Sequence, residues 1–396
     1  MKNQAAVEKN KHKYTGNRLK HIISSLPYAF LSLFCKRDKK LIVFSAMHCK
    51  TFDSNSKFLF LHFLNNEKDF NCYFVVNDDE LKEKLTQEYG NHFIDTRTKE
   101  GKKLAIKAGI WIVSWLDTPI GGLFLKFRRL VVHLGHGTPL KCIGMMEKDG
   151  KLIKKLYYLL CQTNITYSLA STPFVADIIQ KCIGFSKKNI LITGQPRTEV
   201  LFTEKKVLPD YNNEYMHVLY APTWRQYAKV ELFPFADYDI QNLQSFLAEN
   251  KIKIYIRFHP AYEEDIPKDL LDLDNVSLFS AKQYPEVMDY LNLFDVLITD
   301  YSSIYFDYML LERPLIFLPY DLEEYEKNVG FTMDYNQYTP GDKPDTFEDF
   351  KNSLLKAKNT PELFEPSIKE LNKELNCVEK NTCELLADKI KAVYER

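Results

Sequence analysis

The polar residues Thr299, Asp300, Ser302 and Ser303 stand between an apolar run and a segment with helical spacing. The apolar run, residues 296–298, is typical of a buried strand. Hydroxyl groups at the first turn of a helix, where the N–H groups are unpaired, can hydrogen-bond an anion such as phosphate. The alternative is that Ser302 or Ser303 only caps the helix, and the turn alone does not separate these two roles.

His136 lies between two glycines, directly after the strand-like run Leu130 to Leu134. Gly135 and Gly137 allow a sharp backbone turn and a close approach of a ligand. A histidine with an ordinary pKa of about 6.5 can act as a general base near neutral pH. The alternative is a loop histidine that caps a helix.

Three more strand-like runs end in cationic or titratable side chains. They supply Thr223 and Arg225 in APTWR, Arg257 and His259 in RFHP, and Arg197 in GQPR. Alternation along a strand predicts that Arg257 and His259 point to the same side. Each residue alone is compatible with a structural role, but together the arginines, histidines and helix start indicate an anion site suited to a diphosphate.

The motifs of several other nucleotide-binding classes are absent from the sequence. It has no Gly-rich P-loop and no GxGxxG fingerprint, which argues against a P-loop NTPase or a dinucleotide-binding fold. It also lacks HExxH, and no DxD pair directly follows the strands that carry these motifs. We therefore expect arginines and a helix dipole, rather than a metal ion, to neutralise the diphosphate, and we expect no tightly bound cofactor.

Strands must alternate with helices to bring these turns to one edge of a sheet. Apolar runs starting at Leu41 and again at His217 recur with helical patterns between them, which predicts parallel sheets. The polar segment Phe202 to Tyr215 marks a boundary. The prediction is an α/β protein with two doubly wound domains, 41–208 and 209–396, facing a cleft, the second domain ending in a helical tail.

Composition limits the partners. The formal net charge is +0, so no overall field draws the protein to nucleic acid. The eight cysteines form no CxxC pair and are typical of reduced thiols in a cytosolic protein. Residues 1–40 differ, because they carry ten Lys or Arg against two acidic residues. The apolar stretch His21 to Cys35 in this segment is either an interfacial helix on an anionic membrane or an ordinary first helix.

Five ordered motifs resemble those of the CDP-glycerol glycerophosphotransferase family of teichoic-acid primases and polymerases. They are HGTPLK from His136, GQPR from Gly194, YAPTWR from Tyr220, RFHP from Arg257, and DVLITDYSSIYFDYMLLERPLIFLPYDLEEY from Asp295. The run FSAMHCKTFDSNSKFLF from Phe44 is similar to the opening strand and Asp-x-Asn loop of that family. The resemblance covers roughly Leu41 to Gly341.

The resemblance implies a GT-B-like fold and the transfer of an alcohol phosphate from CDP-glycerol or CDP-ribitol, with release of CMP. The implied acceptor is a hydroxyl of a cell-surface glycopolymer or of its lipid-linked saccharide precursor, as in teichoic-acid or capsule synthesis. This reaction places the protein in the cytoplasm, peripherally bound to the inner face of the membrane. A GT-B glycosyltransferase using a nucleotide sugar and a non-catalytic glycopolymer-binding protein are the alternatives.

The matched motifs also imply residue roles. His136 is the implied catalytic base, and His259 binds the donor diphosphate or acts as an acid. The implied substrate-binding residues are Arg197, Thr223, Arg225, Arg257, Thr299, Asp300, Ser302, Ser303 and Asp307. Two departures from the family pattern, Gly135 in place of an aromatic residue and Glu199 in place of Asp, bear on acceptor fit.

Overall fold

The computed structural model describes residues 25–148, 152–203, 206–225, 227–377 and 380–395. The chain forms two compact units. Unit 1 comprises Met1–His136, Ile143–Glu199 and Glu379–Arg396, and unit 2 comprises Gly137–Cys142 and Val200–Val378. Much of the predicted N-terminal segment 1–40, namely residues 1–24, lies outside the described residues.

Unit 1 contains a seven-stranded parallel sheet in the order β3-β2-β1-β4-β5-β6-β7. Its strands are β1 (Asp38–Ser45), β2 (Asn71–Val75), β3 (Phe93–Ile94), β4 (Ala108–Val113), β5 (Leu130–His133), β6 (Tyr167–Ala170) and β7 (Ile190–Ile192). The winding direction reverses between β1 and β4, which is where doubly wound sheets place ligands.

Unit 2 repeats this plan with a five-stranded parallel sheet in the order β10-β9-β8-β11-β12. Its strands are β8 (Met216–Tyr220), β9 (Ile252–Ile256), β10 (Val276–Leu278), β11 (Val296–Thr299) and β12 (Leu315–Phe317). The winding reverses between β8 and β11. The carboxyl ends of these two strands carry the APTWR and DYSS segments, so the predicted phosphate turn lies at the switch point of this sheet.

Helices connect the strands of both sheets. The first two are α1 (25–34) and α2 (Ser54–Asn66). They are followed by α3 (Asp79–Tyr89), α4 (Lys99–Lys107), α5 (Leu152–Gln162), α6 (Pro173–Ile183), α7 (Ile240–Glu249), α8 (Lys268–Leu271), α9 (Ile304–Tyr308), α10 (Leu322–Asn328), α11 (Tyr335–Tyr338), α12 (Phe347–Asn359), α13 (Glu365–Leu375) and α14 (Thr382–Glu395).

The last helix, α14, differs from the sequence prediction because it belongs to unit 1. Leu386, Ala387 and Ile390 are fully buried in the same hydrophobic cluster as residues of α2 and β1. The backbone N–H of Cys383 donates to a Glu199 carboxylate oxygen at 2.8 Å. An amphipathic helix packs against whichever apolar face remains uncovered, and here that face is on the first sheet.

Candidate functional site

His136 is exposed on the loop that follows β5. Gly135 and Gly137 have φ values of 65° and 131°, conformations that favour glycine, and a Cβ added at Gly135 would meet nothing within 4 Å. The His136 imidazole stacks on the Trp115 indole with the ring centroids 4.1 Å apart and the planes 5° from parallel. One face of the imidazole is therefore fixed by an aromatic neighbour from the end of β4.

Asn55, fully buried in the first turn of α2, organises this loop. Its side-chain amide donates to the carbonyl oxygens of Leu134 at 3.2 Å and Gly135 at 3.1 Å, and its Oδ1 accepts from the Arg197 backbone N–H at 3.1 Å. The Arg197 guanidinium in turn donates to the His136 carbonyl oxygen at 2.6 Å. The two predicted residues His136 and Arg197 are thus brought together, with Arg197 bound to the backbone of the predicted base.

A second histidine of unit 1 pairs with a carboxylate. His48 Nδ1 lies 2.9 Å from Asp117 Oδ2, just beyond the ends of β1 and β4. His48 has a φ of 53°, which is unusual for a residue other than glycine. His133, the last residue of β5, is buried, and burial lowers its pKa to about 3, so it is neutral at physiological pH.

In unit 2, Thr223, Thr299 and Asp300 tie together the ends of β8 and β11. The Thr299 hydroxyl donates to the Ala221 carbonyl oxygen at 2.7 Å, and Asp300 Oδ1 accepts from the Thr223 backbone N–H at 2.7 Å. Thr299 is fully buried, and Thr223 and Asp300 are 5% and 2% exposed. Their observed contacts shape the turn at the switch point.

Arg225 is buried between two carboxylates. Its guanidinium donates to Asp300 Oδ2 at 2.5 Å and makes a two-point contact with Asp321 at 3.0 and 2.8 Å. Burial alone would lower the pKa of Arg225, but the bonds to Asp321 and the charge of Asp300 raise it above its ordinary value. The Arg225 side chain has no exposed surface, so its charge is already balanced inside the protein.

Arg257 and His259 lie beyond β9, which ends at Ile256. The Arg257 guanidinium donates to the Tyr284 carbonyl oxygen at 2.9 Å, and burial lowers the pKa of Arg257. The exposed His259 ring instead packs beside Trp224 and Tyr262, with centroids 6.5 and 5.8 Å away. The two side chains therefore contact different neighbours, because the chain leaves the strand before the alternation can align them.

Ser302 and Ser303 are partly exposed in the turn after β11. Ser303 occupies the N-cap position of α9, but its hydroxyl makes no capping bond, and the Ser302 hydroxyl is 3.5 Å from the Ile304 N–H. Helix α9 has only five residues before it tightens into a 3-10 turn, so its dipole is short. Asp307 is buried on this helix.

Sequence reasoning missed the residues that position the predicted ones. Trp115 gave no signal, because nothing in the sequence indicates that the ends of β4 and β5 are adjacent. Asn55 lies within the Asp-x-Asn loop noted for its family resemblance, and that loop was the available signal.

Solved structures with the same architecture identify the fold. The chain superposes on the structure of the wall teichoic acid polymerase TagF with a TM-score of 0.73 at 19% identity, covering 98% of each chain. This likeness confirms the α/β, GT-B-like fold class.

Sequence comparisons identify the family. Residues 28–379 match the model of CDP-glycerol:poly(glycerophosphate) glycerophosphotransferase. The teichoic acid glycerol-phosphate transferase of Staphylococcus aureus is 28% identical over 82% of this chain and 86% of its own length. The teichoic acid poly(glycerol phosphate) polymerase of Bacillus subtilis is 27% identical over 78% of this chain and 43% of its own length. The chain therefore belongs to the CDP-glycerol:poly(glycerophosphate) glycerophosphotransferase family, as its motifs indicated.

Proposed function

We propose that this protein transfers glycerol phosphate or ribitol phosphate from the CDP-alcohol to a hydroxyl of a glycopolymer or its lipid-linked precursor. Family membership supports the reaction class. A variant of TagF was studied after a 15 minute soak with CDPG, which supports a CDP-glycerol donor. A relative described as a teichoic acid ribitol-phosphate polymerase supports the second donor.

The observation that carries the proposal is the mounting of His136. Its imidazole is exposed, flanked by glycines and stacked on Trp115, while its backbone is held by Arg197. Because the base is already held in one orientation, the entropy of orienting it need not be lost during the reaction. A surface histidine with a merely structural role needs no such support.

The proposed reaction is an in-line displacement at the distal phosphorus of the donor. His136 takes the proton of the acceptor hydroxyl as its oxygen bonds to phosphorus, and the bond to the bridging oxygen breaks so that CMP leaves with the electron pair. In unit 2, His259 and the hydroxyls of Ser302 and Ser303 bind the donor phosphates and stabilise the charge that develops on them. Arg225 and Asp300 act by fixing the turn that carries these groups.

CMP release from CDP-glycerol and, separately, from CDP-ribitol, with a lipid-linked saccharide acceptor, tests this function. Because a general base contributes about 10²–10⁴-fold, His136→Ala should lose activity on that scale while keeping its thermal midpoint. His92→Ala is the control, because His92 contacts the Cys72 carbonyl oxygen at 3.0 Å before edge strand β3.

Full activity of His136→Ala would refute its role as the base. No CMP release by the wild-type protein, together with heat protection by a UDP-sugar, would favour a nucleotide-sugar glycosyltransferase. Polymer binding without any release would favour a non-catalytic binding protein.

We also propose that unit 1 contacts an anionic membrane. No helix among the described residues is long and apolar enough to span a bilayer. Leu26, Phe30, Leu31 and Phe34 of α1 are 52–73% exposed. Such a face suits a helix lying in the interface of a membrane.

Two further apolar surfaces of unit 1 support membrane contact. The loop before β5 exposes Leu123, Phe124 and Phe127, and α5 exposes leucines at helical spacing. These leucines are Leu152, Leu156, Leu159 and Leu160. Neighbouring Lys126 and Arg128 add positive charge, which anionic lipid attracts.

Arg129 does not belong to this basic surface, although it follows Arg128 directly in the sequence. It is 5% exposed, and its guanidinium donates to the carbonyl oxygens of Ala108 and Ile106 at 2.9 and 2.8 Å. The same group lies 3.7 Å from the centre of the Trp111 ring. Arg129 therefore stabilises unit 1 from within.

A further inference from the structure

Lys141 follows the HGTP loop in sequence, but its backbone is built into unit 2. It pairs with Phe331 in an antiparallel bridge. On either side, the Thr332 N–H donates to the Leu140 carbonyl oxygen at 2.9 Å and the Cys142 N–H donates to the Gly330 carbonyl oxygen at 3.0 Å. These bonds fix the point from which the Lys141 side chain extends.

The surroundings of Lys141 are those of the switch-point turn. Its ammonium group interacts electrostatically with Asp300 and Arg225, and its positive charge also acts on His259. Phe331, across the bridge, packs on Tyr301 with ring centroids 5.7 Å apart. Lys141 therefore lies near the segment that leads from Asp300 to the two serines of the predicted phosphate turn.

Asp300 does not provide a full partner for Lys141. Its oxygens already accept hydrogen bonds from the backbone N–H groups of Thr223 and Tyr301 and from Arg225, at 2.7, 2.5 and 2.5 Å. No residue that the structure describes forms a hydrogen bond or an ion pair with the Lys141 ammonium. Burial lowers the pKa of Lys141, although Asp300 opposes this shift. Lys141 is partly exposed. An ammonium group that is partly withdrawn from water and has no acceptor in the protein is less stable than one that has acceptors, and an anionic ligand would supply them.

The charges around the switch-point turn of unit 2 sum to zero only when Lys141 is counted. Asp300 and Asp321 face Arg225, which leaves one negative charge in excess. Such an excess repels a phosphate. The Lys141 ammonium removes it and offers three N–H donors that no described residue uses.

We propose that Lys141 binds a phosphate group of the CDP-alcohol donor, next to His259 and the Ser302–Ser303 turn. This inference rests on the proposed function. It adds to the donor site a cationic side chain, Lys141, which follows the loop of the proposed general base in the sequence. Arg225 shapes the turn, whereas Lys141 touches the substrate.

Isothermal titration calorimetry of the full chain with CDP-glycerol, CMP and cytidine tests this role. Losing a charged hydrogen bond should weaken CDP-glycerol binding by Lys141→Met about ten- to a hundred-fold, with cytidine binding changed less than about twofold. Lys141→Arg should recover most of the affinity. Lys343→Met is the matched control, because this partly buried lysine of unit 2 donates to the Thr339 carbonyl oxygen at 2.8 Å.

Two results would overturn the inference. One is a Lys141→Met protein that binds CDP-glycerol as tightly as the wild type. The other is an equal loss of affinity for CDP-glycerol and cytidine with a lowered thermal midpoint, which would mean that Lys141 only supports the fold. Failure of the proposed function looks different, because then the wild-type protein itself would bind CDP-glycerol no more tightly than cytidine and would release no CMP.

Discussion

Replacing Arg225 with methionine should destabilise unit 2 far more than the loss of one hydrogen bond would. Methionine fills much of the same space but leaves the carboxylates of Asp300 and Asp321, which are 2% and 12% exposed, without their cation. Breaking a buried ion pair by removing one partner costs about 3–5 kcal/mol. For a unit of about 150–250 residues, this corresponds to a thermal midpoint lowered by about 6–20 °C.

The loss can be measured by differential scanning calorimetry and urea unfolding of the full chain. Arg225→Met combined with Asp321→Asn should be more stable than Arg225→Met alone, because one of the two uncompensated carboxylates is then neutral. Arg257→Met is the control, because the guanidinium of Arg257 donates to carbonyl oxygens at 2.9–3.5 Å. A loss of less than about 1 kcal/mol in Arg225→Met, the size of one ordinary hydrogen bond, would refute the reasoning.

The pH dependence of this variant supplies a second readout. Burial alone would raise the pKa of Asp321, but its bonds to Arg225 hold the pKa below the usual range. A carboxyl group whose pKa is depressed on folding contributes stability above its unfolded pKa of about 3.9, and this contribution is lost as the pH falls through the folded value. The stability difference between wild type and Arg225→Met should therefore shrink on acidification below about pH 4.

Three further predictions concern the loop of the proposed base, the proposed donor site and the proposed membrane surface. Asn55→Ala should lower kcat about 10- to 100-fold and leave the KM for the donor nearly unchanged, because only the position of the base is disturbed; an unchanged kcat in a steady-state assay would contradict this. Lys141→Met should raise the pKa of His259 measured by NMR titration of its ring protons, since partial desolvation of the imidazole and the Lys141 charge both lower it in the wild type and only the desolvation remains; an unshifted midpoint would place the ammonium elsewhere. Replacing Phe30 and Phe34 with glutamate should reduce co-sedimentation with anionic liposomes at least about tenfold, because exposed apolar area and charge attraction drive such binding; equal sedimentation would move the membrane contact to another surface.

Local patterns were sufficient to predict several elements. The apolar run at residues 296–298, which ends at a polar turn, predicts strand β11, and the observed strand is Val296–Thr299. The helical pattern from Pro173 to Ile183 likewise predicts helix α6, which has these bounds. The Thr172 side chain accepts from the Val175 N–H, a proline follows at the first helical position, and Gly184 ends the helix with a φ of 84°.

Other features depend on contacts that no local pattern encodes. The helical pattern from Pro285 to Leu293 predicts one helix, but the structure has two short 3-10 turns there, Val287–Asp289 and Leu291–Leu293. Between them Tyr290 leaves helical geometry, and its ring packs against Phe279. The two-residue strand β3 is too short to show a period.

In the candidate site too, some features follow from local sequence patterns and others only from the folded structure. The types and positions of His136, His259 and the two serines follow from their motifs. The burial of Arg225 does not, because its partner Asp321 is far along the chain and only the folded sheet brings them together. The anchoring of Lys141 in unit 2 likewise depends on its pairing with Phe331.

The return of α14 to unit 1 has a consequence for folding during synthesis. The residues of unit 2 have all been translated before α14, whereas unit 1 still lacks the helix that places Leu386 and Ile390 in its core. Because domains commonly fold as units, unit 2 can complete its sheet while unit 1 still lacks its last helix. Most of unit 1 is synthesised before unit 2, but part of its apolar surface stays uncovered until α14 has been synthesised. During that interval, the face of the first sheet that α14 later covers stays exposed, and exposed apolar surface on an incompletely folded chain favours aggregation.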